Sequence, residues 1–109
     1  LSLGTATFVI ETLKAADKLG IDLKKLYDVA KLGSGNSGAL NRMAEKALNN
    51  DYKGYMFSVN NTLKDLTYIN ELLRNMPNAE RLSSVTKSFY EAAKEKGYGE
   101  LFISELIKK

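Results

Sequence analysis

Apolar residues recur every three or four positions along most of this chain, and no stretch shows a sustained alternation of apolar and polar residues. A repeat near 3.6 residues is typical of amphipathic helices, whereas a half-buried strand requires a repeat of two. The pattern therefore predicts an all-α fold, a single domain of about five to six helices. The breaks between helices are few, because the chain has one proline, Pro77, and glycines at only a few points.

The first predicted helix runs to about Leu19 and ends at Gly20, a residue suited to a left-handed helix stop. Its apolar residues cover more than one face: Leu3, Ala6, Phe8, Val9, Ile10, Leu13, Ala16 and Leu19. A helix that is apolar on most sides is usually buried. We therefore expect this helix to be the central one.

The next two helices have recognisable N-caps. Asp22 is placed to cap the second helix, which carries an apolar stripe and closes at Gly33. Ser37 is placed to cap the third, whose inward residues are predicted to be Leu40, Met43, Ala44 and Ala47. The segment between them, GSGNSG, is compatible with a phosphate-cradling loop, but a helix stop followed by a capped start is the simpler interpretation.

The fourth and fifth helices complete the predicted fold. The fourth extends from about Ser58 to Asn75, and Pro77 and Asn78 interrupt the chain before the fifth, which ends at Gly97. For the fourth helix the residues predicted to face inward are Leu63, Leu66, Ile69, Leu72 and Leu73. For the fifth they are Leu82, Val85, Phe89 and Ala92, and a short terminal helix carries Leu106 and Ile107.

Composition narrows the possible chemistry. The chain has no cysteine and no histidine, which excludes Cys–His and Ser–His–Asp catalysis and the usual zinc sites within it. No acidic cluster has the spacing of a calcium loop, so no metal is expected. No apolar run approaches the length of a membrane span, and nothing indicates a compartment other than the cytoplasm.

The charge balance bears on nucleic-acid binding. Sixteen basic and thirteen acidic residues leave a net charge of +3, and the lysines are scattered among acids. Tyr52 and Tyr55 beside Lys53 could serve as a base-stacking platform, but no arginine is nearby in the sequence. A small nucleic-acid binder is therefore the weakest class, because such proteins show a clustered basic patch.

Lys64 and Asp65 are the strongest candidates for chemistry, in the string FSVNNTLKDLTYIN. Seven residues along a helix return to nearly the same azimuth, so Phe57 and Lys64 are predicted to share a face, with Asn60 and Asn61 near it. An aromatic ring, two amides and an ammonium group could line a pocket, although helix lysines are normally solvated.

Four phrases in order make the chain similar to the C-terminal domain of the 3-hydroxyisobutyrate dehydrogenase (β-hydroxyacid dehydrogenase) family, in the 6-phosphogluconate dehydrogenase C-terminal-like fold. They are AADKLGID, LYDVAKLGSGNS, the F-x6-KDL motif from Phe57 to Leu66, and Tyr90 to Ala93 followed by a G-x-G-E turn at Gly97 to Glu100. The resemblance covers essentially the whole chain. Two segments depart from the family pattern, GELFISEL and RNMPNAERLSS.

The resemblance implies a division of labour. Family members bind NAD or NADP on an N-terminal Rossmann domain, and the helical domain closes over a small β-hydroxyacid and takes part in homo-oligomers. Carried over, Lys64 is a cofactor contact, and Phe57 and Asp65 belong to the substrate pocket. The general acid/base lysine is expected upstream of Leu1, in a K-x-x-N-N phrase, so the chain alone is expected to be inactive. The alternative is a non-catalytic helical oligomerisation or protein-interaction module.

Overall fold

A computed structural model describes residues 1–109, and helices account for its regular structure. It contains no β-strand beyond one isolated antiparallel bridge between Ser58 and Phe102. The helices are α1 (Ser2–Lys18), α2 (Leu23–Ala30), α3 (Gly38–Ala47), α4 (Val59–Leu72), α5 (Pro77–Glu95) and a terminal 3₁₀ helix (Ile103–Lys108). The all-α prediction is confirmed. The residues form two compact units, one of residues 1–56 with 104–109 and one of residues 57–103.

In the first unit, α1 packs against both α3 and α2. Small residues on α1 and α3 allow the two helices to approach closely, and larger apolar side chains fill the space beside them. The buried residues are Ala6, Val9, Ile10, Leu13 and Ala16 of α1 and Ala39, Leu40, Met43, Ala44 and Ala47 of α3. The prediction for α1 is wrong in one respect, because Phe8 is 80% exposed and Leu19 is 75% exposed.

The N-caps predicted for α2 and α3 are confirmed by their capping atoms, whereas α2 ends before the predicted Gly33. The Asp22 carboxylate accepts a hydrogen bond from the Lys25 amide at 3.0 Å, and the Ser37 hydroxyl accepts one from the Leu40 amide at 3.0 Å. Gly20 follows α1 with φ +70°, a conformation that disfavours residues with a Cβ. Local chemistry therefore sets where these helices begin and end.

Two residues tether the loop that follows α3. The backbone of Gly54 lies directly on α3, since a Cβ there would be 2.4 Å from the Arg42 carbonyl oxygen. The fully buried Ser104 hydroxyl donates to the Tyr52 carbonyl at 2.7 Å and accepts from the Tyr55 amide at 3.0 Å. The loop is thus held by close backbone packing and by hydrogen bonds.

The second unit is the helical hairpin of α4 and α5 together with the segment that follows it. Pro77 is the first residue of α5, where its missing N–H costs nothing, and Gly97 follows the helix with φ +88°. Leu66 and Tyr90 are buried. Between the helices, the Asn70 side chain accepts from the Ser83 hydroxyl and donates to the Ser84 hydroxyl. Part of this helix interface is therefore polar.

The predicted inward face of α5 is wrong. Leu82 is 74% exposed, Val85 61% and Phe89 43%, and Ala92 is exposed as well. The buried residues of this helix are Tyr90 and Ala93, and Ser83, Ser84 and Thr86 are half-buried. A shift of one residue is a rotation of about 100°. Hydroxyl-bearing and small residues face inward. A prediction from the spacing of large apolar residues does not identify such a face.

The prediction for α4 holds only in part. Leu66 is buried, while Leu63, Ile69 and Leu73 are half-buried. Leu72, predicted to face inward, is 79% exposed.

No helix in the structure combines the length and the apolar content that a membrane crossing requires.

Candidate functional site

The three predicted site residues all lie in the second unit, at or near the start of α4. Lys64 and Asp65 are in the helix, where Lys64 is exposed and Asp65 is half-buried. Phe57 is half-buried and precedes the N-cap residue Ser58. Since α4 starts at Val59, Lys64 stands roughly 7.5 Å along the helix axis from that first residue.

The shared helix face predicted for Phe57 and Lys64 is wrong. Phe57 lies outside the helix, and its carbonyl accepts a hydrogen bond from the Ile103 amide at 2.9 Å. A spacing of seven residues places two side chains on one helix face only where both residues have helical geometry. The two remain close in sequence, but an extended segment rather than a helix turn sets the position of the ring.

The Lys64 ammonium makes no ion pair and no hydrogen bond in the structure, and the same holds for the Asp65 carboxylate. Neighbouring residues on a helix point about 100° apart, so Lys64 and Asp65 do not face each other. The ion pairs of the chain lie elsewhere: Lys24–Asp28, Lys31–Asp28, Lys46–Asp51, Arg74–Glu71 and Lys108–Asp17. Lys64 therefore presents a positive charge that no acidic group of the protein neutralises by contact.

The amides at the start of α4 are already occupied. The Val59 amide donates to the Leu101 carbonyl and the Asn60 amide to the Gly99 carbonyl, each at 2.9 Å. The Asn61 amide donates to the Ser58 hydroxyl at 3.0 Å. The free N–H groups of a helix N-terminus commonly bind anions. Here none of these three is free, so the positive group that α4 can offer a ligand is the Lys64 side chain.

Asn60 contacts the turn at Gly99 and Glu100, a feature that was not predicted from the sequence. A Cβ on Gly99 would lie 2.6 Å from Asn60 Oδ1, so the amide packs against bare backbone. Asn60 Nδ2 donates to Glu100 Oε1 at 2.9 Å. The G-x-G-E phrase was visible in the sequence, but its partner on α4 was not. This contact fixes the first turn of the helix that carries Lys64.

The GSGNSG segment has the geometry of a helix stop followed by a capped start. The Gly33 amide donates to the Ala30 carbonyl at 3.1 Å, and the Asn36 amide donates to the Gly33 carbonyl at 3.2 Å. Beside it, within the first unit, is a groove of about 200 Å³ with no charged lining residue. The lining residues are Thr5, Phe8, Val9, Thr12, Leu13, Leu26, Tyr27, Ala30, Gly35 and Leu40. An uncharged groove is a poor match for a phosphate.

The tyrosines of the loop after α3 are engaged within the protein. The Arg42 guanidinium lies 4.7 Å from the centre of the Tyr55 ring, and the Lys108 ammonium lies 5.8 Å from that of Tyr52. An arginine is thus near these rings in space although none is near in sequence. Cation–π contacts of this kind stabilise the loop on the first unit. No group of three or more Asp and Glu side chains is placed to hold a metal ion.

Comparison with known proteins identifies the family. Residues 1–109 match the family described as NAD-binding of NADP-dependent 3-hydroxyisobutyrate dehydrogenase. An L-threonate dehydrogenase of Haemophilus influenzae is 30% identical over 98 residues, which are 90% of this chain and 32% of that protein. The crystal structure of a 3-hydroxyisobutyrate dehydrogenase from Salmonella typhimurium superimposes with a TM-score of 0.81 at 25% identity, over 97% of this chain and 37% of the other.

These matches agree with the resemblance carried by the four sequence phrases and with the expectation of NAD or NADP as the cofactor. The chain spans about one-third of the length of each relative. The fold, the four sequence phrases and the family match over residues 1–109 agree with one another. The chain belongs to the NAD-binding family of NADP-dependent 3-hydroxyisobutyrate dehydrogenases.

Proposed function

We propose that this chain is the helical domain that closes the cofactor and substrate cleft of an NAD(P)-dependent dehydrogenase acting on a small β-hydroxyacid. The observation that carries the proposal is Lys64, an exposed ammonium group without an ion pair on α4 of a chain that belongs to a nicotinamide-nucleotide-binding family. L-threonate and 3-hydroxyisobutyrate, which give two relatives their names, are both small hydroxyacids. A longer protein would supply the Rossmann domain.

The donor set of α4 fits a nicotinamide nucleotide in one respect. A compact lysine charge suits a phosphate or a polar edge of the cofactor, and no carboxylate competes for it. When bound, the cofactor supplies the carbon that accepts or returns hydride. Lys64 contributes a charge that holds the cofactor, and Phe57 contributes an apolar wall that excludes water. Asp65 orients the hydroxyacid by accepting a hydrogen bond from one of its hydroxyl groups.

Proton transfer is assigned to a group outside this chain. We propose that a lysine in a K-x-x-N-N phrase, preceding Leu1 in the complete enzyme, moves the alcohol proton as hydride is transferred. The chain by itself should therefore give no turnover with NAD⁺ or NADP⁺ and either 3-hydroxyisobutyrate or L-threonate, measured by the absorbance of reduced nicotinamide. Steady turnover by the purified chain would contradict this assignment.

Substitution of Lys64 in the complete dehydrogenase tests the role of its charge. Lys64→Ala should raise the KM for the cofactor by roughly tenfold, because a charge-assisted hydrogen bond contributes about 1.5–3 kcal/mol, reduced here by exposure to water. The kcat should change little if the contact is equal in ground and transition states. Lys94→Ala, which removes an exposed lysine from α5, is the matched control and should leave both constants unchanged.

The KM that changes distinguishes the role of Asp65 from that of Lys64. Asp65→Asn keeps the size of the side chain and removes its charge, so it should raise the KM for the hydroxyacid more than the KM for the cofactor. An equal effect on both constants would argue that Asp65 acts through the fold of α4 instead.

The proposal also includes self-association of the helical domain into a homo-oligomer.

A further inference from the structure

The start of α4 holds the unsatisfied polar atoms of the protein. Two buried side-chain oxygen atoms lack a hydrogen-bond partner, Asn60 Oδ1 and Thr62 Oγ1. Both belong to the four residues that precede Lys64. Burying an acceptor without a partner costs free energy, and proteins retain such costs mainly where they serve function. The start of α4 is therefore not arranged for stability alone.

The Asn60 side chain is held at two points by the turn that follows α5. A Cβ on Gly99 would lie 2.6 Å from Asn60 Oδ1 and 2.9 Å from Nδ2, so only a glycine leaves room for the amide. Asn60 Nδ2 donates to the Glu100 carboxylate at 2.9 Å. We call Asn60, Gly99 and Glu100 the clasp. The Asn60 amide is thus committed to the turn and is not available to a ligand.

The turn that carries Gly99 and Glu100 is itself anchored. The Tyr98 amide donates to the Ala93 carbonyl, and the Leu101 amide donates to the Tyr98 carbonyl, each at 3.1 Å. Ala93 belongs to α5 and is buried. The clasp therefore joins the start of α4 to the end of α5.

The clasp gives α4 an attachment that differs from its backbone hydrogen bonds. Those bonds hold the amides of Val59 and Asn60, two neighbouring residues, and so leave the helix able to turn about them. A third attachment through the Asn60 side chain fixes the direction in which the helix faces. Lys64 follows Asn60 by four residues, about 6 Å along the axis and on nearly the same side. A rotation of α4 at Asn60 therefore moves the Lys64 side chain.

We propose, on the basis of the function proposed above, that Asn60 is a positioning residue that directs Lys64 toward the nicotinamide nucleotide through the clasp. Asn60 touches neither the cofactor nor the hydroxyacid and acts only through the geometry of α4. Loss of the clasp should therefore raise the KM for the cofactor. The KM for the hydroxyacid and the kcat should stay close to their original values, because the contact that weakens is one to the cofactor.

An exchange of donor and acceptor tests the clasp in a longer protein that contains this domain. Asn60→Asp keeps the shape of the side chain but places a carboxylate against Glu100. It should raise the cofactor KM roughly fivefold, less than Lys64→Ala, because Lys64 keeps its charge but loses its direction. Glu100→Gln retains an acceptor and should change little. The double variant Asn60→Asp/Glu100→Gln reverses the hydrogen bond, since the new glutamine donates to the new aspartate, and should restore the original KM.

The double variant also separates the position of Lys64 from the charge around it. Asn60→Asp places a carboxylate four residues before Lys64, within reach of an ion pair. That carboxylate is present in the double variant as well. Restoration there would show that the lost hydrogen bond, and not the added charge, raised the KM. Asn78→Asp makes the same change at the second residue of α5 and should have no effect.

Gly99→Ala breaks the clasp without changing any charge. The new Cβ would meet Asn60 Oδ1 at 2.6 Å, so the amide must move aside. The cofactor KM should rise by a factor similar to that of Asn60→Asp. Gly4→Ala, where nothing lies within 4 Å of the new Cβ, is the matched control and should leave the KM unchanged.

A stability measurement on the 109-residue chain distinguishes positioning from a structural role. Asn60→Ala removes the hydrogen bond to the exposed Glu100 together with the acceptor that has no partner, so the two effects oppose each other. The midpoint of urea unfolding should therefore stay close to that of the wild type, while the cofactor KM of the longer protein rises roughly fivefold. A purely structural residue would lower the midpoint and change all the kinetic constants together.

Three results would overturn the proposal. They are a cofactor KM that Asn60→Ala and Asn60→Asp leave unchanged, a double variant as impaired as Asn60→Asp alone, and a rise in KM that occurs only with a fall in the urea midpoint. If Lys64→Ala still raises the cofactor KM in these cases, only the clasp is refuted. If Lys64→Ala has no effect, the cofactor contact of the proposed function is refuted, and with it the group that Asn60 would position.

Discussion

The two compact units bury their residues by different rules. In the first unit, α1 and α3 bury the apolar residues that repeat at helical spacing, such as Leu13, Leu40 and Met43. In the second unit, α5 buries Tyr90 and Ala93 and leaves Leu82, Val85 and Phe89 exposed. An apolar repeat therefore indicates a face that will be covered, but not whether the chain itself covers it.

The polar interface of the hairpin explains how the second unit can leave apolar residues of α5 exposed. The Asn70 amide is hydrogen-bonded to Ser83 and Ser84, so these groups are satisfied where they meet. Small hydroxyl side chains also let the two helices lie close together. The exposed apolar residues of α5 named above are then free to face outward.

The largest expected difference in stability is between variants of two adjacent aromatic residues of α5, the buried Tyr90 and the exposed Phe89. Tyr90→Ala should lower the free energy of unfolding by about 4 kcal/mol, because Tyr90 is 1% exposed and its removal leaves a cavity. Phe89→Ala, at a residue 43% exposed, should cost about 1 kcal/mol or less. Urea unfolding of both variants at low protein concentration measures the difference. Equal losses would mean that the faces are assigned incorrectly.

A glycine pair tests the first unit in the same way. Gly54→Ala should cost about 3 kcal/mol, because its Cβ would meet backbone atoms of α3 at 2.4 Å from the Arg42 oxygen, and backbone cannot move aside cheaply. Gly35→Ala is the matched control, since nothing lies within 4 Å of the new Cβ and no strained φ is required there. Thermal unfolding should show a large decrease in Tm for the first variant only. A stable Gly54→Ala protein would show that the loop is not fixed to α3.

The smallest predicted effect concerns a buried hydroxyl of the first unit and its dependence on pH. Burial raises the pKa of Tyr27, and the hydrogen bond to Glu45 raises it further. Its hydroxyl is within 2.9 Å of Asn41 Oδ1 and 3.0 Å of Glu45 Oε1. Tyr27→Phe should therefore cost about 1 kcal/mol at neutral pH.

The sign of the pH effect follows from the raised pKa. The contribution of Tyr27 is complete below its ordinary pKa of 10.0 and is lost as the pH rises through the higher value of the folded state. Wild type and Tyr27→Phe should therefore approach each other in stability above that pH. Denaturant titrations at neutral and alkaline pH measure the gap. A gap that widens at alkaline pH would contradict the raised pKa.

Local signals allowed much of the fold to be predicted. Asp22 and Ser37 cap the helices that they were expected to cap, and Gly20 and Gly97 end theirs in left-handed conformations. These features depend on a few neighbouring residues, so a sequence pattern is sufficient to find them. The covered face of α5 depends instead on Asn70, on another helix, and it was predicted incorrectly.

The candidate site shows the same limit. The F-x6-KDL motif identified Lys64 and Asp65 as candidate site residues, and the structure places Lys64 in solvent without an ion pair. The sequence predicted a helix start at about Ser58, but it could not show where Phe57 lies, because the hydrogen bond between Phe57 and Ile103 joins segments far apart in the chain. Nor could it show that Asn60 packs on Gly99, for the same reason.

The most direct test of the proposed function is a structure of a longer protein that contains this domain, with a nicotinamide cofactor and a hydroxyacid bound. We predict that Lys64 Nζ lies within hydrogen-bond distance of the cofactor, about 3 Å, with the Phe57 ring bordering the substrate. A structure in which the cofactor is bound productively while Lys64 remains in solvent would contradict it.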